Sequence, residues 1–280
     1  MSGHIAFQGE LGAYGHQACV EAQPDFTPLP CDTFDDTLAA VRDGRAELGM
    51  IAIENSTYGR VADVHSLLPE SGLHIVGETF VRVHVNLLGV PGASLADVRE
   101  AYGHVVILPQ CATFLRDNAI RGVVSSDNAR AAREVAAAGD PSRAALASEL
   151  AADIYGLDVL AAHIEDHARN TTRFVVMARD PDHSRRGDGK MVTSFVFRVR
   201  NIPAALYKAM GGFATNGVNM TKLESYMVGG TFRATQFYAE IEGHPEDPNV
   251  RLALDELDYF TDHLRIMGVF PAAPRRFEQR

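Results

Sequence analysis

Short apolar runs of strand length alternate with helix-length stretches from His4 to about residue 178. A chain patterned this way has few options, because strands joined by helical crossovers run parallel. The fold class it predicts is α/β with a largely parallel sheet. His4 to Phe7, Leu48 to Ile53, His104 to Leu108, Gly122 to Val124 and Phe174 to Met177 are the strand candidates. Thr33 is placed to cap a helix carrying Leu38 and Val41, with Asp36 in its first turn. Ser94 predicts a second capped start with Asp97 three residues on, and Asp127-Asn128-Ala129 opens an Ala-rich helix through Ala138. Leu73 to Val90 has no helical break and is long enough to carry the chain from one lobe to another.

The pattern changes after Asp180-Pro181-Asp182-His183-Ser184-Arg185-Arg186-Gly187-Asp188-Gly189-Lys190, which reads as a polar linker. Arg185 and Arg186 are expected to be solvated there. Thr193 to Val199 alternates as a strand, and Asn201-Ile202-Pro203 marks a helix start. Leu206, Met210 and Phe213 fall on one face of that helix, and Gly217 ends it. Val218 to Tyr226 and Thr231 to Glu240 read as strands joined at Gly229-Gly230, a hairpin signal. A second helix carries Ala253, Leu257, Phe260 and Leu264, and Arg265 to Phe270 closes with a strand. That order is βαββαβ, a ferredoxin-like unit, which hosts many functions.

The chemistry concentrates at Asn170-Thr171-Thr172-Arg173-Phe174, a polar turn running into the apolar Val175-Val176-Met177. A guanidinium there offers a planar fork for a carboxylate, and a hydroxyl offers a proton to a leaving group. Ile51-Ala52-Ile53 likewise runs into Glu54-Asn55-Ser56, and Ile5-Ala6-Phe7 into Gln8-Gly9-Glu10-Leu11-Gly12-Ala13-Tyr14. Such turns converge outside the carboxyl ends of strands, where α/β sheets bind ligands. Gly9 and Gly12 would let backbone N–H groups approach an anion at the next helix.

Taken together, these segments resemble the prephenate dehydratase family. The likeness also includes Gly59 and Val61, Tyr155-Gly156-Leu157 and Ile164-Glu165-Asp166, and it covers nearly the whole chain. One departure is His104-Val105-Val106-Ile107-Leu108-Pro109 before Gln110-Cys111, where the family often has His-Pro-Gln-Ala-Leu. The resemblance implies a two-lobed catalytic domain like periplasmic solute-binding proteins over residues 1–180, with the active site in the cleft. A linker (181–191), an ACT regulatory domain (192–271) and a tail (272–280) would follow. The implied reaction converts prephenate to phenylpyruvate and needs no cofactor, since aromatisation drives it, and no metal. Thr172, Arg173 and Asn170 are the expected catalytic residues. Asn55, Ser56, Glu54, Tyr14, Thr171 and Phe174 are the expected substrate contacts, with Gln8 a weaker candidate. Glu54 would orient neighbours, and Arg173 has Glu165 or Asp166 as possible structural partners. Phenylalanine is expected near Ala205, Leu206, Asn219, Glu224 and Ser225, although Ala204 and Tyr226-Met227 replace a Gly and an Arg-Pro of the family pattern. Arogenate dehydratase and a non-catalytic amino-acid sensor are the alternatives.

The formal net charge of -10 argues against nucleic acid or an anionic membrane as a partner, so local arginines must attract a dianionic substrate. Cys19, Cys31 and Cys111 leave no complete pairing and are expected to be inert thiols, and the scattered histidines have no metal-ligand spacing. No apolar run reaches membrane-span length and no signal segment opens the chain, so a cytoplasmic protein is expected. An ACT-type site between subunits would make it a homodimer or homotetramer.

Overall fold

The computed structural model describes residues 3–167, 169–184, 186, 189–200, 202–227 and 234–277. The chain begins β1 (His4–Gln8), α1 (Tyr14–Ala22), β2 (Thr27–Cys31), α2 (Phe34–Arg42), β3 (Leu48–Asn55), β4 (Gly59–Arg60) and α3 (Ala62–Glu70). It continues through β5 (His74–Arg82), β6 (Asn86–Gly89), β7 (Glu100–His104), a 3-10 turn (Leu108–Cys111), α4 (Ala112–Asp117), β8 (Arg121–Ser125) and α5 (Asn128–Ala138). Then come β9 (Arg143–Ala147), α6 (Glu149–Tyr155), β10 (Asp158–Ala161) and β11 (Thr171–Ala178). The last elements are β12 (Met191–Val199), α7 (Ala205–Thr215), β13 (Met220–Met227), β14 (Ala234–Glu242), α8 (Pro248–Phe260), β15 (Thr261–Pro271) and a 3-10 turn (Pro274–Arg276). Among the described residues no helix is long and apolar enough to cross a membrane.

Two compact units are present, Met1–Val61 with Phe80–Phe174, and Ala62–Thr79 with Val175–Arg280. The boundary falls inside β5 and β11, so residues 62–79 group with the later elements despite their place in the sequence.

The first unit has two lobes. In one, β1 lies between β2 and β3 and is parallel to both, pairing Ile5 with Pro28 and Ala6 with Gly49. Its core holds Ile5, Phe7, Leu38, Val41, Ile51 and Ile53, all essentially inaccessible. Thr33 caps α2 as its sequence predicts, accepting the Asp36 N–H at 3.0 Å. The other lobe is a five-stranded sheet in the order β10-β6-β9-β7-β8, with β7 parallel to β8 and β9 and the remaining pairs antiparallel. Two segments connect the lobes, 80–86 and 161–171, and they lie side by side. Val83 N–H donates to Asn170 O and Ile164 N–H to Val85 O, both at 2.9 Å. Asp127 caps α5 by accepting the Arg130 N–H, and Gly139 ends that helix at φ 63°.

In this lobe two expectations fail. The strand expected from His104 to Leu108 lies earlier, because Glu100–His104 alternates intermediate and buried while Val105 to Leu108 turns into the 3-10 segment. Pro109 within that turn cannot donate to a ladder. Ser94 and Asp97 do bond, Oγ to Oδ2 at 2.6 Å, but they close a turn and no helix follows.

The second unit carries the expected βαββαβ order, with β13-β14-β12-β15 as its antiparallel sheet. Phe195, Phe197 and Phe237 of the sheet pack with Phe213 of α7 and Ala253 and Leu257 of α8. Leu264 belongs to β15, paired with Phe197, because the chain turns extended at Thr261. Asn201 and the Gly229-Gly230 hairpin lie outside the described residues. Arg186 is not simply solvated: Nη1 bonds Asp247 at 3.0 Å and Nη2 meets Glu246 at 3.4 Å. Arg185 also lies outside the described residues.

Residues 272–277 are more than a tail. Arg276 donates from Nε and Nη2 to the two oxygens of Glu78, at 2.8 and 2.7 Å, and from Nη2 to Glu240 at 2.9 Å. Both carboxylates have fully buried side chains. Tyr238 donates to Glu240 at 2.6 Å, and Ala273 N–H to Glu78 at 3.0 Å. Bidentate, charge-assisted bonds of this kind offset the cost of holding ions out of water.

Candidate active site

Asn55 ends β3 beside the start of β11, where Ser56 N–H donates to Thr171 O at 2.9 Å. Its Oδ1 accepts the Thr57 and Tyr58 N–H groups at 2.9 and 3.1 Å, a local turn that fixes the amide plane. Its Nδ2 therefore faces β11 and donates to Asn170 Oδ1 at 2.7 Å and Thr172 Oγ1 at 3.0 Å. Asn170, fully buried, in turn donates to Gln110 Oε1. Gln110 is buried in the second lobe and anchored there by its Nε2 on Val106 O at 2.9 Å. A chain of side-chain bonds thus runs from Gln110 through Asn170 and Asn55 to Thr172, across both lobes of the first unit.

Successive residues of a strand point to opposite faces. Thr172 goes with Asn55, whereas Arg173 turns the other way and places Nη1 2.8 Å from Glu54 Oε1. Arg173 is buried and its guanidinium lies 6.0 Å from the Phe80 ring centre. Glu165 and Asp166 are engaged elsewhere: Glu165 accepts Val85 N–H and bonds His84, while Asp166 accepts Thr113 N–H. Phe174 is buried, part of the strand's apolar run. Ser56 is committed to β11, donating to Arg169 O at 2.7 Å and accepting Thr171 N–H at 2.9 Å. Thr171 and Thr172 are each partly accessible.

The glycine turn does something other than receive an anion. Gly9 N–H goes to Cys31 O, and Gly12 N–H to His16 Nδ1 at 3.0 Å. Burial lowers the His16 pKa, keeping the ring neutral and able to accept. Gly12 sits at φ 93°, and a Cβ there would meet Ala151 Cα at 2.9 Å. Ser148 and Tyr155 donate to Gly12 O and Leu11 O at 2.6 and 2.7 Å, so this turn is where the lobes touch. Gln8 ends β1, half-buried. Tyr14 donates to His84 O at 2.8 Å, and burial, with the nearby Cys111 and Glu165, raises its pKa well above the ordinary value.

Of the three cysteines all are free and buried, and burial pushes the Cys19 and Cys111 thiols up to about 12. Among the described residues no group of three or more His, Cys, Asp or Glu is arranged to hold a metal. Gln110 was visible in the sequence only as the neighbour of Cys111; nothing in its spacing marks it as Asn170's acceptor.

In the second unit, Ala204 precedes α7 in the left-handed region at φ 61°. A glycine would enter that region without strain. Ala205 and Leu206 open α7, half-buried. Asn219 precedes β13, where Glu224 is half-buried near Lys222 Nζ at 3.7 Å and Ser225 faces out.

Sequence comparison agrees with this architecture. Residues 5–182 match the family described as Prephenate dehydratase. A bifunctional N-acyl-homoserine lactone acylase/prephenate dehydratase from Komagataeibacter europaeus is 51% identical over 97% of each chain. Arogenate dehydratase/prephenate dehydratase 1 of Arabidopsis thaliana is 35% identical, covering 95% of this chain and 71% of that one. The solved prephenate dehydratase of Arthrobacter aurescens, in complex with L-Phe, superposes with a TM-score of 0.87 at 28% identity, covering 96% and 89% of the two chains. The periplasmic-binding-protein-like first unit and the ACT-type second unit are the fold of those enzymes. The chain is a dehydratase, a carbon–oxygen lyase, and belongs to the prephenate dehydratase family.

Proposed function

We propose that this chain converts prephenate to phenylpyruvate, and that Thr172 carries the proton step. The observation that supports this reading is the chain of bonds from Gln110 to Thr172. Because Thr172 Oγ1 accepts from Asn55, its own O–H is left to donate. In the reaction the bond between the ring and its carboxylate breaks, releasing carbon dioxide. Those electrons enter the ring and expel the hydroxyl, which takes a proton and leaves as water. A threonine hydroxyl is a weak acid, so its help comes through polarisation by Asn55 and the amides behind it. Asn170 positions rather than touches substrate, since both its amide atoms are engaged. Arg173, held by Glu54 on the opposite face, braces β3 against β11.

Thr172→Ala should lower kcat on prephenate by about 10²–10⁴ with little change in thermal stability. Loss of less than a factor of ten would remove Thr172 from the proton step. Arogenate differs in carrying an amino group on the side chain, and the ratio of turnover on the two substrates decides between them. A pure amino-acid sensor would turn over neither.

On this reading the enzyme is cytoplasmic, a homodimer or homotetramer, and inhibited by phenylalanine at Ala205, Leu206, Asn219, Glu224 and Ser225. The phenylalanine complex of the Arthrobacter relative supports the effector. A raised melting temperature with phenylalanine present would be the signature of binding.

A second reading is favoured by the 51% identity to a relative that bears two activities in its name. By it, this chain also cleaves the amide of N-acyl-homoserine lactones.

A further inference from the structure

Residues of both segments that join the lobes line a cavity of about 290 Å³, among them Arg82, His84, Asn86 and His163, together with Ser148 and Leu150. It shares no residue with the chain from Gln110 to Thr172. His84 bonds Glu165 from Nδ1 at 3.0 Å, and its side chain is 42% exposed while that of Glu165 is 5% exposed. Glu165 is fixed in turn, because its other oxygen accepts Val85 N–H at 2.9 Å. A carboxylate that accepts a hydrogen bond from the Nδ1–H of an imidazole sets the tautomer and leaves the lone pair on Nε2. His163 stacks on His84 with ring centres 4.0 Å apart and planes 12° apart. To reach that position His163 holds a left-handed backbone, φ 53°, with its N–H on Asn86 Oδ1 at 3.2 Å. Backbone strain in a residue other than glycine persists where its surroundings impose it, and functional sites are a common place for it.

We propose that this cavity is a second, hydrolytic site, in which His84 activates water against the carbonyl of an N-acyl amide. The proposal rests on the second reading above and locates that activity. The Thr172 chain is built of amides and a hydroxyl, whereas this cavity holds an imidazole whose Nδ1 is held by a buried carboxylate. Ser148 is not the nucleophile, because its hydroxyl donates to Gly12 O at 2.6 Å and accepts Ala151 N–H at 3.2 Å as a helix cap. Water must therefore attack directly. Nε2 takes one proton from it as the oxygen bonds to the carbonyl carbon, and Arg82 faces the resulting oxyanion. When the oxyanion collapses, the carbon–nitrogen bond breaks and the imidazolium returns its proton to the departing amine. The products are a carboxylic acid and the free amine. Leu150 and Val20 give the same cavity an apolar wall for the acyl chain.

The test is release of homoserine lactone from N-octanoyl-homoserine lactone by the full chain, with prephenate turnover measured beside it. His84→Ala should lose about 10²–10⁴ of the amide hydrolysis and keep its prephenate turnover, while Thr172→Ala should show the reverse. His84→Gln keeps an N–H for Glu165 but cannot take the proton, so it must lose hydrolysis even where the alanine variant folds poorly. Glu165→Gln, a change in a positioning residue, should lower kcat for hydrolysis with KM unchanged. Hydrolysis that survives in folded His84→Gln, or disappears in Thr172→Ala, overturns the site and leaves the second reading standing. No homoserine lactone from the wild type overturns both, with the dehydratase reading untouched.

Discussion

Asn55 commits its carbonyl to two backbone N–H groups and its NH₂ to Asn170 and Thr172, so its amide has one productive orientation. The residue that holds the far end of this arrangement is Gln110. Gln110→Leu would leave the buried Asn170 NH₂ without its acceptor, a loss of about 1–3 kcal/mol in stability. It should also lower kcat on prephenate about tenfold with KM nearly unchanged, because only positioning is lost. Denaturant midpoints together with steady-state kinetics check both. At this scale the sequence showed which residues carry polar atoms at strand mouths, and Thr172, Asn55 and Asn170 do meet. It did not show that Thr172 and Arg173 part company. Strand alternation contains that information, but only once the strand is known to begin at Thr171, one residue before Thr172.

Elements were legible where local chemistry decides them. Thr33 and Asp127 accept N–H groups at the helix starts their side chains predict, and the apolar runs of β1 and β3 became strands. Where tertiary pairing decides, the sequence misleads. β2 reads Thr-Pro-Leu-Pro-Cys and looks like a loop, yet it pairs with β1 on one side, the edge position that tolerates proline. Leu264 fits the apolar face of α8 but is drawn into β15 by its partner Phe197. The residue before α7, Ala204, is strained, and that strain can be relieved. Ala204→Gly should stabilise the protein by about 1 kcal/mol, the lower end of the cost of a left-handed alanine. A raised denaturant midpoint at constant m-value would show it; a lowered midpoint would mean that Ala204 makes contacts worth more than the strain.

For the molecule as a whole, the two units bury charge in different arrangements. Where its lobes meet, the first is joined to itself by amides and hydroxyls, such as Gly12 with Ser148 and Asn170 with Gln110, and by Arg130 and Arg133 on Glu10. The first buries one guanidinium, Arg173 on Glu54, whereas the second buries two carboxylates on a single guanidinium. Arg276→Met should cost about 3–5 kcal/mol, because Glu78 and Glu240 would be left buried without that cation. Thermal unfolding of the variant checks this. A double variant that also replaces Glu78 by Gln should recover part of the loss, since one buried charge is then removed.

That arginine has a consequence for how the protein is made. Glu78 leaves the ribosome 198 residues ahead of Arg276. At about 5–20 residues per second, the carboxylate waits roughly 10–40 s for its cation. During synthesis the first unit has all its residues by Phe174, while α3 and the start of β5 must remain unlocked. A nascent chain stalled before Arg276 should therefore carry a protease-resistant first unit and a protease-sensitive second one.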